Sequence, residues 1–447
     1  MQDHSLPPRR SLSLPQTLSR RQALLTGAAA VAGTCVNALG SAADRAVQNQ
    51  PFLLSDKGCG RASAYVEANK CVTFADKTHV AWLDSGDGNF QVRIRTLDHR
   101  SREWSPTYTV GQAHDNHGGP ALSVDSRGFL HIVYYPHHHP FRYRQSRRPN
   151  DASSWTDETL FGEKLTYPTL MCGADDTLYL TARRSLKNQP WLAERWMRPA
   201  GKDWQGPHPI IRSGAGGYSH FQEALAWSPD RKTLHLSCRI YQNGGAQETV
   251  AYMRSHDLGV TWRRWDDSPI PLPAAPQTMD VIASGGRVEG LMSHKCGSIA
   301  VDSQGVPHIL YSAGGSGKAE MLIAKPDGRG GWQRTPLAKH VADKWPGWRI
   351  GPAAALVFNQ QDEMFVSATI SRENQTEVVR LTSRDQGRSF QMEMVSQGLK
   401  GQRKMWPNLE HPTGHNVIAR RPGILFAAGD PGQSNDDILA NNVYWAG

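Results

Sequence analysis

One unit of this chain occurs twice with the same internal spacing. In the first copy, His117 and His131 lie eight residues before and six residues after an aspartate, and in the second copy His294 and His308 hold the same positions. Each copy consists of a hydrophobic run, an Asp-Ser-X-Gly turn and a second hydrophobic run, which is the pattern of two strands joined by a hairpin. The chain is therefore predicted to be built from repeated β-hairpins, with histidines at matching ends of two of them.

Similar pairs of short apolar runs around a turn occur in seven places, with turns roughly fifty to seventy residues apart. They are residues 72–82, 122–134, 170–180, 225–238, 299–311, 355–368 and 417–428. This is the period of a four-stranded propeller blade with loops of variable length. Helical periodicity is almost absent between the runs, and 42 glycines and 28 prolines supply turn residues. The sequence thus predicts an all-β fold, a seven-bladed β-propeller.

A second pattern supports the same fold. Residues 255–262 fit S-x-D-x-G-x-T-W, the pattern of an Asp box, and residues 383–390 are a close second copy. In such a turn the aspartate accepts hydrogen bonds from its own turn, the glycine permits a positive φ, and the aromatic ring packs between strands. These boxes are structural in the sialidase-like propellers, which the two segments resemble. They indicate the fold and leave the reaction open.

The first 43 residues are predicted to be an export signal, and residues 44–447 a single propeller domain. Arg20 and Arg21 precede an apolar stretch from Leu24 to Val36 and then a group of small residues, as in a twin-arginine signal. A chance arginine pair in a basic tail is the alternative. The apolar stretch is too short to span a bilayer. We therefore expect a soluble exported protein, periplasmic or secreted, without a membrane span.

The charge of the chain suits an anionic partner. Loss of the predicted signal would lower the formal net charge from +9 to +6, because that segment carries four arginines and one aspartate. A mildly basic exported protein attracts anionic molecules. Nucleic acid is disfavoured, since the chain has neither basic runs at helical spacing nor zinc-finger spacing. We expect the protein to be a monomer.

The six cysteines suggest different roles. One lies in the predicted signal, and Cys59 and Cys71 are close enough in sequence to close a small disulfide. Cys172 and Cys238 lie in strand-like runs and are expected to be buried as small hydrophobic residues. Cys296 is left over, beside one of the repeated histidines.

The segment from residue 114 to residue 144 is rich in histidine and is the best catalytic candidate. His114 and His117 open it, and the consecutive histidines His137 to His139 follow its second strand. Histidine takes or gives a proton near neutral pH, so this cluster suits general acid/base chemistry. The alternatives are metal binding by the consecutive histidines and a plain surface location.

The next two units add tyrosines and arginines. Tyr167 and Arg183 belong to one unit, and Tyr218 and Arg239 belong to the next. A single tyrosine of this kind is more often a packed aromatic with a satisfied hydroxyl than a catalyst. Propeller blades, however, bring distant loops to one central mouth, so we expect these side chains to share a site with the histidines.

Several phrases of the sequence are similar to those of a known family. They are DNHGGPALSVDSRGFLHIVYYPHHHPFRYR, LTYPTL, SHFQEAL, HKCGSIAVD, KWPGWR, PTGHNVI and NNVYW. The chain resembles, from about residue 60 to its end, the BNR-repeat propellers that include the ulvan lyases of polysaccharide lyase families 24 and 25. The resemblance implies β-elimination at a 4-linked uronic acid: the C5 proton is removed, O4 leaves, and a 4,5-unsaturated sugar forms.

The resemblance also implies roles for particular residues. His117 and Tyr167 match the acid/base pair of the family, and Arg183 matches its carboxylate neutraliser. The C5 proton becomes acidic only when the neighbouring carboxylate is neutralised, so the reaction needs a cation, a base and an acid. The sequence leaves open whether His117 or Tyr167 takes the proton. Secondary candidates for substrate contacts are His137, His138, Tyr218 and Arg239.

The second histidine copy is a candidate metal site. His294 and Cys296 are expected on one face of a strand, with His308 across the hairpin. Soft sulfur with imidazole favours zinc, and His415, with His411 behind it as a candidate, would complete a tetrahedron. Spacing alone equally allows a buried thiol beside hydrogen-bonded histidines. The resemblance implies a structural zinc in this region and favours the metal.

Two other functions fit the same fold. A sialidase-type glycoside hydrolase needs paired carboxylates, or a Tyr/Glu nucleophile with an arginine triad. The candidate mouth is instead rich in His, Tyr and Arg, with Glu223 as the nearest acid. A non-catalytic glycan-binding propeller would have no use for His117 and Tyr167. The sequence therefore favours an exported lyase acting on an anionic, ulvan-like polysaccharide.

Overall fold

Antiparallel β-sheet dominates the computed structural model, which describes residues 50–286, 295–314, 320–399 and 401–447. The predicted export signal lies outside these residues. The described residues form 31 strands, two short 3-10 turns and one α-helix, α1 (Ala338–Lys344), and all of them fall in one compact unit. The all-β prediction is confirmed. Across the ranges given, no helix has the length and apolar character needed to cross a membrane.

The strands form five sheets of nine, eight, six, four and four strands. The nine-stranded sheet begins with β1 (Phe52–Gly58), β2 (Cys71–Phe74), β3 (Lys77–Asp84), β4 (Gln91–Asp98), β5 (Glu103–Trp104) and β6 (Tyr108–Gln112). The eight-stranded sheet contains β7 (Ala121–Val124), β8 (Leu130–Tyr134), β9 (His139–Arg148), β10 (Asp151–Trp155), β11 (Thr159–Cys172), β12 (Leu178–Arg184), β13 (Pro190–Arg198) and β14 (Gln205–Gly216). The six-stranded sheet contains β15 (His220–Trp227), β16 (Leu234–Gln242), β17 (Gln247–Ser255), β18 (Trp262–Arg263), β19 (Pro269–Ile270) and β20 (Asp280–Gly285).

Two four-stranded sheets follow, and the last three strands return to the first sheet. The four-stranded sheets contain β21 (Lys295–Val301), β22 (Pro307–Ala313), β23 (Glu320–Pro326) and β24 (Trp332–Pro336), and then β25 (Arg349–Phe358), β26 (Met364–Arg372), β27 (Gln375–Ser383) and β28 (Gln391–Met394). The nine-stranded sheet is completed by β29 (Lys404–Leu409), β30 (Ile424–Ala428) and β31 (Asn441–Ala446). In it β31 pairs antiparallel with β1, with Phe52 opposite Trp445.

Six of the seven predicted hairpins are present as paired strands at the predicted places. The prediction for residues 417–428 is wrong in its first half, because β30 pairs with β29 and residues 417–423 form no strand. The backbone before β30 is hydrogen-bonded to β7 of the eight-stranded sheet and to β2 of the nine-stranded sheet instead. His415 N–H donates to the Val124 carbonyl and Val417 N–H donates to the Thr73 carbonyl, each over 2.9 Å.

The two copies of the repeat share their turn chemistry. Oδ1 of Asp125 and of Asp302 each accepts two backbone N–H groups of its own turn. The turn glycines have φ of +87° and +80°, a conformation that a side chain disfavours. His131 and His308 lie against the same two carboxylates, at 3.5 and 3.2 Å. The second histidine of each copy therefore has a structural contact within its own hairpin.

Both Asp boxes form the expected turns. In the first, Asp257 accepts hydrogen bonds from the backbone and the hydroxyl of Thr261, and Trp262 is buried. In the second, Asp385 makes the same pair of contacts with Ser389. These contacts stabilise the two turns.

Cys59, Cys71 and Cys172 are buried free thiols, and Cys238 is buried in β16. The small disulfide considered from sequence spacing is therefore not formed. Cys59 and Cys71 instead pack in one hydrophobic cluster with residues such as Trp82 and Leu425. Burial of Cys172 and Cys238 in strands agrees with the sequence prediction.

Candidate active site

Most of the predicted catalytic and substrate-contact residues meet at a cavity of about 780 Å³. It is lined by Arg61, Ala64, Tyr65, Val66, Glu67, His117, His137, His138, Tyr167, Tyr218, His220, Gln222, Arg239, Arg403, Trp406 and Asn435. We call it the His/Tyr cavity. It brings together six of the seven residues predicted for catalysis and substrate contact, and Arg183 is the exception.

Four of the residues that line the His/Tyr cavity have a left-handed backbone. The φ angles are +66° at Tyr65, +62° at His138, +60° at Tyr167 and +57° at Trp406. Bulky residues rarely adopt this conformation, which costs on the order of 1 kcal/mol or more per residue. Such strain persists where the surrounding structure fixes it, and it is concentrated at functional sites.

A bulge in β11 accompanies the placement of Tyr167. The pairing of β11 with β12 is regular up to Thr166 and resumes with a shifted register at Thr169. Bulges of this kind redirect a side chain out of the normal alternation of a strand. Tyr167 thus lines the cavity although its neighbours in β11 are buried within the sheet.

Asp115 joins two of the cavity histidines. Its Oδ1 lies 3.1 Å from Nδ1 of His117, and its Oδ2 lies 2.6 Å from Nδ1 of His137. The two imidazole rings are stacked with their centroids 3.9 Å apart. Burial raises the pKa of Asp115, but the hydrogen bonds from His117 and His137 outweigh it and hold that pKa below its usual value. Asp115 is therefore an anion that accepts a hydrogen bond from each ring.

His117 is held as a neutral imidazole of defined tautomer. Burial lowers its pKa to about 4, with Arg61 adding to the effect and Asp115 opposing it. Since the Asp115 carboxylate can only accept, Nδ1 of His117 carries the proton. Nε2 then has the lone pair, and Nη1 of Arg61 lies 2.6 Å from it. The ring can accept a proton at Nε2 once this arginine moves away.

Tyr167 keeps its phenolic proton near neutral pH. Burial raises the pKa of its phenol to about 12, although the charge of Arg183 opposes the shift. The ring is 94% buried and packs against Tyr65 and His220, with centroids 5.0 and 4.5 Å apart. Its centroid is 6.0 Å from that of His117. Tyr167 therefore holds a proton that it can donate.

Arg183 lies behind Tyr167 and not among the residues that line the cavity. Its guanidinium carbon is 4.7 Å from the centre of the Tyr167 ring and 5.0 Å from that of Trp191. Nη2 donates to Oγ1 of Thr166 over 3.0 Å. Nε and Nη1 are buried without a hydrogen-bond partner in the part of the chain that the structure describes. Its charge is thus only partly compensated.

Two arginines of the cavity were not found from the sequence. Arg61 donates from Nη1 to the Tyr65 hydroxyl over 2.9 Å, besides its contact with His117, and Arg403 lines another wall. Neither belongs to a repeat or a motif. The third, Arg239, was predicted, but Nε and Nη2 are already paired with Oε2 of Glu248 at 3.1 and 2.9 Å.

One acidic residue lines the cavity, and a second is buried outside its lining. Glu67 lines it and is 6% exposed, and burial raises its pKa. Glu223 does not line it, and burial keeps its pKa well above the usual value. Lys70 is buried close by, and its Nζ donates to the carbonyls of Tyr65 and Ala68. Glu67 is thus the only carboxylic residue among the lining residues.

The remaining predicted contact residues lie on the cavity walls. Nδ1 of His138 is 2.5 Å from Oγ of Ser185, and burial lowers the pKa of this histidine to about 4. Tyr218 is 52% exposed and packs edge-on against Trp191. Both side chains can offer polar atoms to a ligand in the cavity.

The predicted zinc ligands are not all described. His294 lies outside the described residues, and for Cys296 the structure describes the backbone in β21, opposite Tyr311. His308 is buried with Nε2 3.2 Å from Asp302. His415 lies elsewhere, 3.4 Å from Asp176. Among the described residues, His308 and His415 have no contact partner in common.

The alternative fourth ligand, His411, is engaged as well, since its Nε2 lies 3.1 Å from the Val66 carbonyl oxygen. Within the described ranges, two groups of three side chains bring potential metal ligands within 4.8 Å of one another. They are Asp115, His117 and His137, and Cys172, Asp176 and His415. In the first group the hydrogen bonds to Asp115 already account for the arrangement.

Comparison with known proteins gives a consistent result. The sequence model of the BNR repeat-containing family matches residues 77–340. The chain is similar to Ulvan Lyase-PL25 of Pseudoalteromonas sp. (strain PLSV), with 21% identity over 341 residues, which are 67% of this chain and 67% of that protein. It is also similar to an ulvan lyase of Alteromonas sp. (strain LOR), with 20% identity. That match covers 58% of this chain and 61% of the ulvan lyase, which is less than two thirds of its length.

A solved structure has the same fold. The polysaccharide lyase PL25 ulvan lyase bound to -[GlcA(1-4)Rha3S]- superposes with a TM-score of 0.68 and 15% identity. The superposition covers 89% of this chain and 95% of that one. At this identity the likeness concerns the fold alone.

Proposed function

Because the chain belongs to the BNR repeat-containing family, we propose that it is a polysaccharide lyase that cleaves an ulvan-like, 4-linked uronic-acid-containing polysaccharide by β-elimination. One observation carries the proposal: a neutral imidazole, His117, and a protonated phenol, Tyr167, line one cavity together with the guanidinium of Arg61. The similarity to ulvan lyases supports the reaction class. The sugar -[GlcA(1-4)Rha3S]- bound by the solved relative supports a uronate as the residue attacked.

The protonation states favour His117 as the base and Tyr167 as the acid. Nε2 of His117 accepts the C5 proton, and the electrons of that C–H bond form the C4–C5 double bond. The C4–O4 bond breaks, and O4 takes the phenolic proton of Tyr167. The products are a 4,5-unsaturated uronate and a new chain end with a free hydroxyl. General acid/base assistance of this kind contributes typically about 10²- to 10⁴-fold each to the rate.

The carboxylate of the substrate needs a cation at the cavity surface. Arg61 is suited to this role, because it lines the cavity and its fork matches a carboxylate. A carboxylate paired with Arg61 would draw Nη1 away from His117 and leave Nε2 free for the C5 proton. Arg183, the neutraliser implied by the family resemblance, adds positive charge behind the Tyr167 ring. His137, His138, Tyr218 and Arg239 are proposed to contact neighbouring sugar units.

A hydrolase fits the cavity less well. A pair of carboxyl groups would have to face the same ligand, whereas Glu67 lines the cavity and Glu223 is fully buried outside its lining. A binding protein without activity would leave unexplained why Asp115 fixes the tautomer of His117.

We propose that the fold is a seven-bladed, sialidase-like propeller. Divided into four-stranded units, the nine-stranded and eight-stranded sheets each give two units, and the other three sheets give one each. The pairing of β1 with β31 would join the last unit to the first strand of the chain. The protein is further proposed to be exported by the twin-arginine signal in residues 1–43 and to act as a monomer.

The zinc site predicted at His294, Cys296 and His308 is retained as a proposal. His308 fits it, because Nε2 faces Asp302 while the buried Nδ1 has no hydrogen-bond partner in the described ranges. Histidine ligands of metals commonly give their other ring nitrogen to a carboxylate. A zinc ion there would stabilise the hairpin, and no step of the elimination is assigned to it.

One experiment separates the three functions. The mature protein is incubated with ulvan and with other polyuronates, and the ultraviolet absorbance of the 4,5-unsaturated product is followed together with the number of reducing ends. A lyase raises both signals on at least one uronate. New reducing ends without absorbance would indicate a hydrolase, and neither signal would indicate a binding protein.

A further inference from the structure

A second cluster of ligand-bearing side chains lies apart from the His/Tyr cavity. Cys172 ends β11, five residues after Tyr167, and Asp176 lies in the turn that follows. His415 comes from the segment between β29 and β30, which we call the 410–423 loop. One ligand atom from each of Cys172, Asp176 and His415 lies within 4.8 Å of the other two. None of the three lines the cavity.

We propose that Cys172, Asp176 and His415 bind a zinc ion that fixes the 410–423 loop to the turn between β11 and β12. This site is separate from the one predicted at His294, Cys296 and His308. It also assigns His415 to different partners from those expected from the sequence.

Three distances in and beside the cluster are close to the edges of a zinc tetrahedron. With bond lengths typical of zinc, two N or O ligands are about 3.3 Å apart, and a sulfur and an oxygen ligand are about 3.6 Å apart. Nε2 of His415 is 3.4 Å from Oδ1 of Asp176 and 3.2 Å from the Gly173 carbonyl oxygen. Sγ of Cys172 is 3.7 Å from the same carbonyl oxygen. The Gly173 carbonyl therefore has the position of a fourth ligand.

The chemistry of the donors suits zinc as well. Sulfur, imidazole and carboxylate form a mixed set that zinc accepts in tetrahedral geometry. A thiolate and a carboxylate would together balance the two charges of the ion. Asp176 is oriented from outside the cluster, because Ser126 donates to both its oxygens, from N over 2.8 Å and from Oγ over 2.7 Å. Such supporting hydrogen bonds are typical of metal-binding carboxylates.

The position of the cluster gives the ion a structural role. The 410–423 loop already contacts the eight-stranded sheet, since His415 N–H donates to the Val124 carbonyl and Cys172 N–H donates to the Thr413 carbonyl over 2.6 Å. Cys172 and His415 are 243 positions apart in the chain. An ion that joins them would link the connection between β29 and β30 to the turn that follows β11.

Cobalt substitution of the full mature chain tests the proposal. The protein is freed of metal with a chelator and titrated with Co²⁺, and the tetrahedral d–d bands and the thiolate-to-cobalt charge-transfer band are recorded. Cys172→Ser and His415→Gln should each bind Co²⁺ on the order of 100-fold more weakly at one site, with a smaller charge-transfer band. Cys238→Ser is the matched control, because Cys238 is equally buried in a neighbouring strand and its thiol also faces the carbonyl of the next residue.

Cys296→Ser distinguishes the two sites. It should leave the band that depends on Cys172 in place. If Cys172→Ser and His415→Gln bind Co²⁺ as the wild type does, or if Cys296→Ser alone removes all thiolate coordination, the proposal is overturned. His415→Gln changes a partly exposed side chain, so it keeps the test decisive even if Cys172→Ser does not fold.

Discussion

Nη1 of Arg61 lies 2.6 Å from Nε2 of His117, on the other side of the ring from the Asp115 carboxylate. The imidazole is thus held between a cation and an anion, which act on its pKa in opposite directions. Burial lowers this pKa most, Asp115 raises it, and Arg61 lowers it again, so that it is about 4. Substitutions of the two neighbours should therefore move the titration of His117 in opposite directions.

Arg61→Met should raise the pKa of His117 toward its ordinary value, because a nearby positive charge is removed. A base must be neutral to act, so the acid limb of the kcat/KM profile should move to higher pH. KM for the polyuronate should also rise if Arg61 binds the carboxylate. The measurements are the pH-rate profile and NMR titration of the His117 ring. Arg403→Met is the control, since Arg403 lines the cavity without a recorded contact to His117.

Asp115→Asn should lower the pKa of His117 further and shift the acid limb to lower pH. It should also reduce kcat by about 10- to 100-fold, because the amide no longer fixes the protonated Nδ1 as a carboxylate does. The same profile and titration measure both effects. An unchanged kcat would show that the orientation of His117 does not matter to the reaction.

His117→Ala and Tyr167→Phe should each reduce kcat for elimination by about 10²- to 10⁴-fold, as expected for loss of a general base or acid. The initial rate of absorbance increase on the preferred uronate measures the loss. Tyr444→Phe removes the hydroxyl of a buried tyrosine in β31 and should leave the rate unchanged. Full activity in both cavity variants would refute their assignment.

His79→Gln should weaken the dependence of stability on pH. His79 is buried between Thr96 and Asn150, and burial lowers its pKa to about 4, so the folded state keeps it neutral. In the unfolded chain His79 takes up a proton near pH 6.5. The contribution of neutral His79 to the free energy of unfolding is therefore lost as the pH falls from about 6.5 toward 4. Between about pH 7 and 5, the free energy of unfolding should fall by about 2 kcal/mol more in the wild type than in the variant.

Denaturant unfolding at the two pH values measures this difference. Parallel changes in the wild type and His79→Gln would mean that His79 binds its proton equally in both states.

Gly414→Ala should destabilise the docked 410–423 loop. A Cβ at this position would meet the carbonyl oxygen of Val124 and would lie 2.7 Å from Oγ of Ser123. The backbone of Val124 cannot move away easily, so we expect the free energy of unfolding to fall by about 1–3 kcal/mol. Gly216→Ala is the control, because its Cβ would have no neighbour closer than 3.8 Å. Thermal unfolding compares the two, and equal melting temperatures would argue against the close approach.

Structural features that depend on short, local sequence patterns could be predicted from the sequence. The turns at Asp125 and Asp302, the two Asp boxes and six of the hairpins are each encoded within about a dozen consecutive residues. The family resemblance also assigned to one site those residues of the His/Tyr cavity that lie in motifs, such as His117 and Tyr167.

Contacts between segments that are far apart in the chain could not be predicted from such patterns. Arg61 lies in a loop without a motif, 56 residues before its contact at His117. Residues 417–419 are apolar, yet Val417 N–H donates to Thr73 of β2, and these residues form no hairpin with β30. The sequence shows that such a segment is apolar, but it does not show which surface the segment covers.

The pairing of β1 with β31 has a consequence for the way the chain folds. Phe52 and Trp445 are partners although almost the whole described chain lies between them. Contacts of such high sequence separation form slowly, because the entropy of closing the loop must be overcome first. During synthesis, the edge of β1 stays without this partner until β31 has been made. The early strands are then exposed to incorrect pairing for longest, and a chaperone would act most usefully on the amino-terminal strands.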